Sequence, residues 1–124
     1  MTKLITPTFA LAMLTAFFVP TFAEAQTTFR YQGLTHSEYQ SMFDALVPQG
    51  CRPTYVRVFS RTGQPRYDLT MVRQSGPSWI ARHGQNDQQF VQTNQDLAAS
   101  GYRLTLHSSA RINGRIIHVA MWIR

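Results

Sequence analysis

Four histidines, one cysteine and an excess of arginine are the residues of this chain that could carry chemistry. His36, His83 and His107 are general-base candidates, since imidazole exchanges a proton near neutral pH. None of them has a nucleophile or carboxylate at a readable spacing. His83 and Asp87 lie four apart, but a strand-to-helix turn is expected between them and no third ligand follows, so turn polarity explains the pair better than a metal. No Gly-x-Ser-x-Gly elbow and no phosphate-cradling glycine loop occurs. The sequence therefore points to no catalytic residue, no metal site and no cofactor, although a triad assembled in space from distant residues stays open.

Charge is the stronger signal. The 124 residues carry 12 Lys and Arg against 6 Asp and Glu, a formal charge of +6. The single lysine is Lys3, so every basic residue beyond it is arginine. The guanidinium fork matches carboxylate, phosphate and sulfate groups and stacks on aromatic rings. Arg61 and Arg66 flank one expected hairpin tip, and Arg111 and Arg115 flank another. Together they are the candidate ligand-binding edge for an acidic glycan or an acidic protein surface, weighed against ordinary solvated charge.

The beginning of the chain bears on which partners are reachable. Lys3 followed by an apolar run from Leu4 to Val19 and then Ala23-Glu24-Ala25 reads as a secretory signal with cleavage before Gln26. An uncleaved anchor is the alternative, for which the run is short. Residues 1–25 are thus expected to be removed, leaving residues 26–124 as one domain, secreted or periplasmic, with no remaining membrane span. That address argues against nucleic acid as the partner, and the aromatics fall mostly on expected core positions. Cys51 has no cysteine to pair with, and core packing is the simpler reading of it.

The elements that position these residues come in two copies. An offset of 51 positions lays Gly33 on Gly84, Leu46 on Leu97, Gly50 on Gly101, Arg52 on Arg103, Gly63 on Gly114 and Arg73 on Arg124 without a gap. Each copy, about 28–73 and 79–124, reads as strand, helix, strand, strand. Thr35-His36-Ser37-Glu38 and Asn86-Asp87-Gln88-Gln89 are capping boxes that start the helices. Tyr39, Met42, Phe43, Leu46 and Val47 form one apolar stripe. The second helix keeps Phe90, Leu97 and Ala98 but has Thr93 and Asn94 where the first has Met42 and Phe43, so it should be held less tightly. Gly50 and Gly101 end the helices.

The fold class expected is α+β, an antiparallel sheet with two helices and internal pseudo-twofold symmetry. Since only the glycine is shared between the two hairpin tips, a three-residue loop is expected at each. That register gathers Cys51, Pro53, Tyr55, Phe59, Pro65, Tyr67, Leu69 and Met71 on the core face of the first hairpin. In the second it puts His118 on the core face opposite Ser108 as a satisfied core histidine. It also leaves Ile117, Val119, Met121 and Ile123 as a second apolar row where the first copy has Arg66, Asp68, Thr70 and Val72. Such a row must be covered, by the N-terminal strand and the second helix or by a second copy in a homodimer.

Gly33-Leu34-Thr35, Phe43-Asp44-Ala45-Leu46, Gln49-Gly50-Cys51-Arg52-Pro53, Gly63-Gln64-Pro65-Arg66-Tyr67 and Gly76-Pro77-Ser78-Trp79 resemble the bacterial tandem repeat domain. That repeat accompanies the serine-hydrolase domain of secreted polyglycine hydrolases and related β-lactamase-like proteins. Two departures are Cys51, where the repeat usually has an aromatic, and Asp68–Arg73, which lacks the usual aromatic-acidic ending. The hydrolase uses a Ser-x-x-Lys nucleophile, and no lysine follows Lys3 here. The resemblance implies a secreted, non-catalytic accessory or binding module, with no catalytic residue to carry over. A hydrolase with a noncontiguous site, or an inhibitor or immunity-like partner of a periplasmic enzyme, are the other readings.

Overall fold

The computed structural model describes residues 26–124, so the expected signal segment lies outside the described residues. Each copy begins with a strand, β1 (Thr28–Leu34) and β4 (Trp79–Gln85), followed by a helix, α1 (His36–Leu46) and α2 (Asp87–Ala99). Both capping boxes form: Thr35 and Asn86 accept from the backbone three residues on, and Glu38 and Gln89 reach back to the cap N–H. Gly50 and Gly101 have φ of 87° and 89°, the left-handed conformation that releases the chain from a helix. A hairpin completes each copy: β2 (Cys51–Arg61) with β3 (Gln64–Arg73), and β5 (Arg103–Ile112) with β6 (Arg115–Ile123).

The strands make two antiparallel sheets of three, ordered β1-β3-β2 and β4-β6-β5. The units stack front to back rather than about a twofold axis. Sheet one presents Tyr67, Leu69 and Met71 to α1, all fully buried. The far side of α1 meets sheet two: the Tyr39 ring lies 4.9 Å from Tyr67 and 4.5 Å from His83 on β4, and Phe43 lies 6.1 Å from Trp79. On the far side of sheet two, Phe90 of α2 packs against Trp122 and His118. The layers are thus sheet, helix, sheet, helix. Along one edge the two sheets converge, where the Val58 N–H donates to Ser108 Oγ at 3.1 Å and Asn113 Nδ2 donates to the Gly63 carbonyl at 2.8 Å.

This order explains the asymmetry between the copies. Helix α1 is covered on both sides, so Met42 and Phe43 pack into the core, whereas α2 ends the stack and carries Thr93 and Asn94 at the equivalent positions. Sheet two is likewise covered on both faces. Val119 is fully buried and Met121 2 % exposed, with Ile117 and Ile123 partly buried. The apolar row is therefore covered within the chain, on the side of sheet two that receives α1. Terminal repeats of a stack turn polar faces outward for the same reason.

The hairpin tips correct the expected register. Arg61 pairs with Gln64 and Ile112 with Arg115, leaving two-residue loops, Thr62-Gly63 and Asn113-Gly114, in which all four residues have positive φ. This is the geometry that matches strand twist in a tight hairpin. The register shifts between Pro53 and Tyr55, and again between Leu104 and Leu106. Each bulge reverses the facing of everything beyond it. Val56 and Val58, not Tyr55 and Phe59, therefore oppose Leu69 and Tyr67 on the core side. Tyr55 is 48 % exposed, and His118 stands opposite Ser109 rather than Ser108.

Candidate functional site

Two histidine clusters and one arginine-bearing face hold the chemistry-capable groups. The first cluster sits at the joint between the units. His36, at the start of α1, lies against His83 of β4 with ring centres 4.2 Å apart, and His83 Nε2 is 3.3 Å from the His36 carbonyl. His83 borders the phenols of Tyr39 and Tyr67, and His36 that of Tyr67; both hydroxyls are buried without a hydrogen-bond partner among the described residues. Gly84, at φ 73°, lets the strand pass this close: a Cβ there would stand 3.0 Å from His36 and 3.5 Å from the Tyr67 hydroxyl. Burial, reinforced by Tyr67, raises the Tyr39 phenol far above its ordinary value, and burial pushes Tyr67 up to about 12. Neither serves as a base near neutrality.

Burial, and after it the neighbouring His36, pushes His83 down to about 4. An unfolded chain takes up this proton near pH 6.5. Between those values the unfolded state binds the proton and the native state does not, so the stability that neutral His83 contributes is fully present above about pH 6.5 and lost as pH falls toward 4. The melting temperature should drop across that window, and His83→Phe should flatten the drop. His107, lowered by burial and then by His118, contributes with the same sign.

The second cluster is a relay of three groups. Asp87, the first residue of α2, accepts from His118 Nε2 at 2.5 Å, and His118 Nδ1 lies 2.9 Å from His107 Nε2. Phe90 stacks on both imidazoles, 4.5 Å from each. With Asp87 and His107 on its two nitrogens, buried His118 is the satisfied core histidine that the sequence suggests, and the relay ties α2 to its sheet. No serine hydroxyl is hydrogen-bonded to any imidazole among the described residues, and Ser108 Oγ is committed to the Val58 N–H. Groups of three metal-ligating side chains do not converge among the described residues. Cys51 is buried and unpaired.

The third feature is the outer face of sheet one, the face turned away from α1. Register places Arg30, Arg57, Arg61 and Arg66 there, together with Tyr55, Phe59 and one carboxylate, Asp68. Three of these arginines are held. Asp68 accepts the Gly33 N–H at 2.9 Å on one oxygen and Arg57 Nη1 at 3.0 Å on the other. The Arg57 and Arg61 guanidinium groups lie 4.6 and 5.6 Å from the Phe59 ring centre, a cation–π arrangement. Arg66 Nη1 donates to the Gly33 carbonyl at 3.1 Å, and Gly33 itself takes φ 69° in the bulge of β1.

Of the four arginines singled out from sequence, Arg61 and Arg66 share this face. Arg111 lies on the α2 side of sheet two, donating to the Gly114 carbonyl at 3.2 Å, while the exposed Arg115, opposite Ile112, falls on the other side. The tips meet through Asn113 and Gly63, but their arginines do not share one surface. Arg30 and Arg57 were not singled out by sequence reasoning. The alternation Tyr55, Arg57, Phe59, Arg61 does mark one face of a strand. Only the bulge at Thr54 turns that whole face outward.

Comparison with protein families gives two consecutive matches. Residues 23–74 and 76–124 each match the model described as polyglycine hydrolase-like, structural repeat. No curated protein gives a significant match.

Proposed function

Because the chain belongs to the polyglycine hydrolase-like structural repeat family, with two tandem copies, we propose that it acts as an exported, non-catalytic binding module that recognises an acidic glycan through the outer face of sheet one. The observation that carries this reading is the four arginines set among Tyr55 and Phe59 with Asp68 as the one carboxylate on that face. Guanidinium groups pair with uronate carboxylates or sulfates, and exposed rings give sugar faces an apolar platform. The partners already holding Arg57, Arg61 and Arg66 reduce the side-chain entropy lost when a ligand arrives. The basic excess of the whole chain adds attraction at long range.

The test is binding of the folded protein to heparin-type and polyuronate chains at rising salt. Wild type should bind with a clear salt dependence, and Arg57→Ser/Arg61→Ser/Arg66→Ser should weaken binding at least tenfold. Arg111→Ser/Arg115→Ser, on the other unit, should change it little. Equal losses in both variants would assign the attraction to net charge instead of this face. Retention of an acidic protein but of neither glycan would replace the glycan by a protein partner.

A further inference from the structure

Arg52 stands apart from the other arginines. It is only 7 % exposed, yet among the described residues no carboxylate and no hydrogen-bond acceptor pairs with it. Unlike the Tyr39 and Tyr67 hydroxyls, its nitrogens are not sealed off, so the cation keeps some solvent contact while it carries no counter-charge among the described residues. The linker between the units closes over it: a Cβ on Gly76 would stand 2.5 Å from Arg52 Nη1 and 3.0 Å from Cζ, so glycine is what allows the close approach. Its repeat equivalent, Arg103, is exposed at the start of β5. Duplication alone therefore does not explain the burial.

The guanidinium borders two clefts at the joint. One, of about 330 Å³, runs between Arg52 and an apolar floor of Leu106, Met121 and Ile123. The other, of about 600 Å³, opens toward Trp79 and Tyr102, with Ser75 and Ser78 of the linker at its rim. A fixed cation beside an apolar floor is complementary to a molecule with one negative end and an apolar body.

We infer that the inter-unit cleft beneath Gln74–Ser78 binds a monocarboxylate with an apolar tail, its carboxylate on Arg52 and its tail on Leu106, Met121 and Ile123. A bidentate guanidinium–carboxylate pair would supply the missing counter-charge, and the small apolar cleft sets the size of the tail at a few carbons. A short free acid and the C-terminus of a peptide ending in an aliphatic residue share this chemistry. By register Arg52 stands opposite Val72, at the end of sheet one away from the hairpin tip, and the site uses none of Arg57, Arg61 and Arg66.

The experiment titrates the folded protein with hexanoate, with N-acetyl-leucine and with hexanamide, following backbone amide shifts of Ser75, Gly76 and Ser78 and the methyl shift of Met121. At least one acid should give saturable shifts at these positions, with hexanamide at least tenfold weaker. Preference for hexanoate identifies a free acid, and preference for N-acetyl-leucine a peptide terminus. Arg52→Met should weaken the acid at least tenfold without lowering the melting temperature, since it removes an uncompensated charge and keeps the length of the side chain. Arg57→Ser/Arg61→Ser/Arg66→Ser should leave the shifts intact. Absence of saturable shifts with both acids on folded wild type, or equal response to hexanamide, overturns the site without recourse to any variant.

Discussion

Val119→Asp is expected to abolish cooperative folding, whereas Asp68→Val, at the equivalent position of the other copy, is expected to leave a folded protein. Val119 is fully buried at the centre of β6, on the side of sheet two that receives α1. A carboxylate there would have to shed its hydration without an ionic partner, or stay protonated, or open the joint. Each route costs several kcal/mol, a large part of the roughly 5–15 kcal/mol that holds a domain of this size together. Asp68 faces outward, where the Gly33 N–H and Arg57 satisfy both its oxygens. Replacing it loses one charge-assisted bond and leaves the Gly33 N–H in need of solvent, a cost of about 1–3 kcal/mol. Urea unfolding of the two variants, followed by far-ultraviolet circular dichroism, checks the contrast. A cooperative Val119→Asp transition near the wild-type midpoint would show that α1 does not lock the two units together.

That pair of residues also marks how far the sequence could be read. The duplication, the capping boxes and the terminating glycines were legible because each depends on residue types within one turn of chain. Glycine at φ near 90° and a Thr or Asn cap are local demands. The stacking of units was encoded too, in the exchange of Asp68 for Val119 and of Phe43 for Asn94, but only as an asymmetry with several explanations. A twofold arrangement would give the two copies like environments. Front-to-back stacking requires that one copy keep a polar sheet face and the other a polar helix face, as observed.

The faces of the hairpins were harder to read. A bulge leaves no mark that separates it from an ordinary strand residue: Thr54 and Thr105 are good β-formers, and each shifts the phase by one. Counting alternate residues from the base of the hairpin therefore placed Tyr55 and Phe59 in the core and hid the arginine face they belong to. The same slip favoured a longer tip loop, since Thr62 does not announce the positive φ that it adopts at 49°. Arg52 was legible as a repeat identity. Its burial depends on Gly76, which folds the linker back over it and has no repeat equivalent within the chain.

The weaker second helix leads to the other large effect, Trp122→Ala. Helix α2 has no fully buried residue of its own, so its attachment rests on partly buried contacts and a few polar ties. Trp122, fully buried on β6, is their focus: Phe90 lies 5.9 Å from it, and the indole N–H donates to Asn94 Oδ1 at 2.9 Å. Removing the ring leaves a cavity under the helix and strips Asn94 of its donor, at about 3–5 kcal/mol for the truncation. The Asp87–His118–His107 relay remains, but it holds only the first turn. The loss should therefore be uneven. Amide exchange in Asp87–Ala99 should accelerate by orders of magnitude, and more than that of α1, which is clamped from both sides by Tyr67 and His83. Trp122→Phe, which keeps an aromatic body and lacks the N–H, should recover most of the stability and leave the C-terminal half of α2 the faster-exchanging part. Uniform acceleration across both helices in Trp122→Ala would mean that the two units open as one, and that the end of the stack is no weaker than its middle.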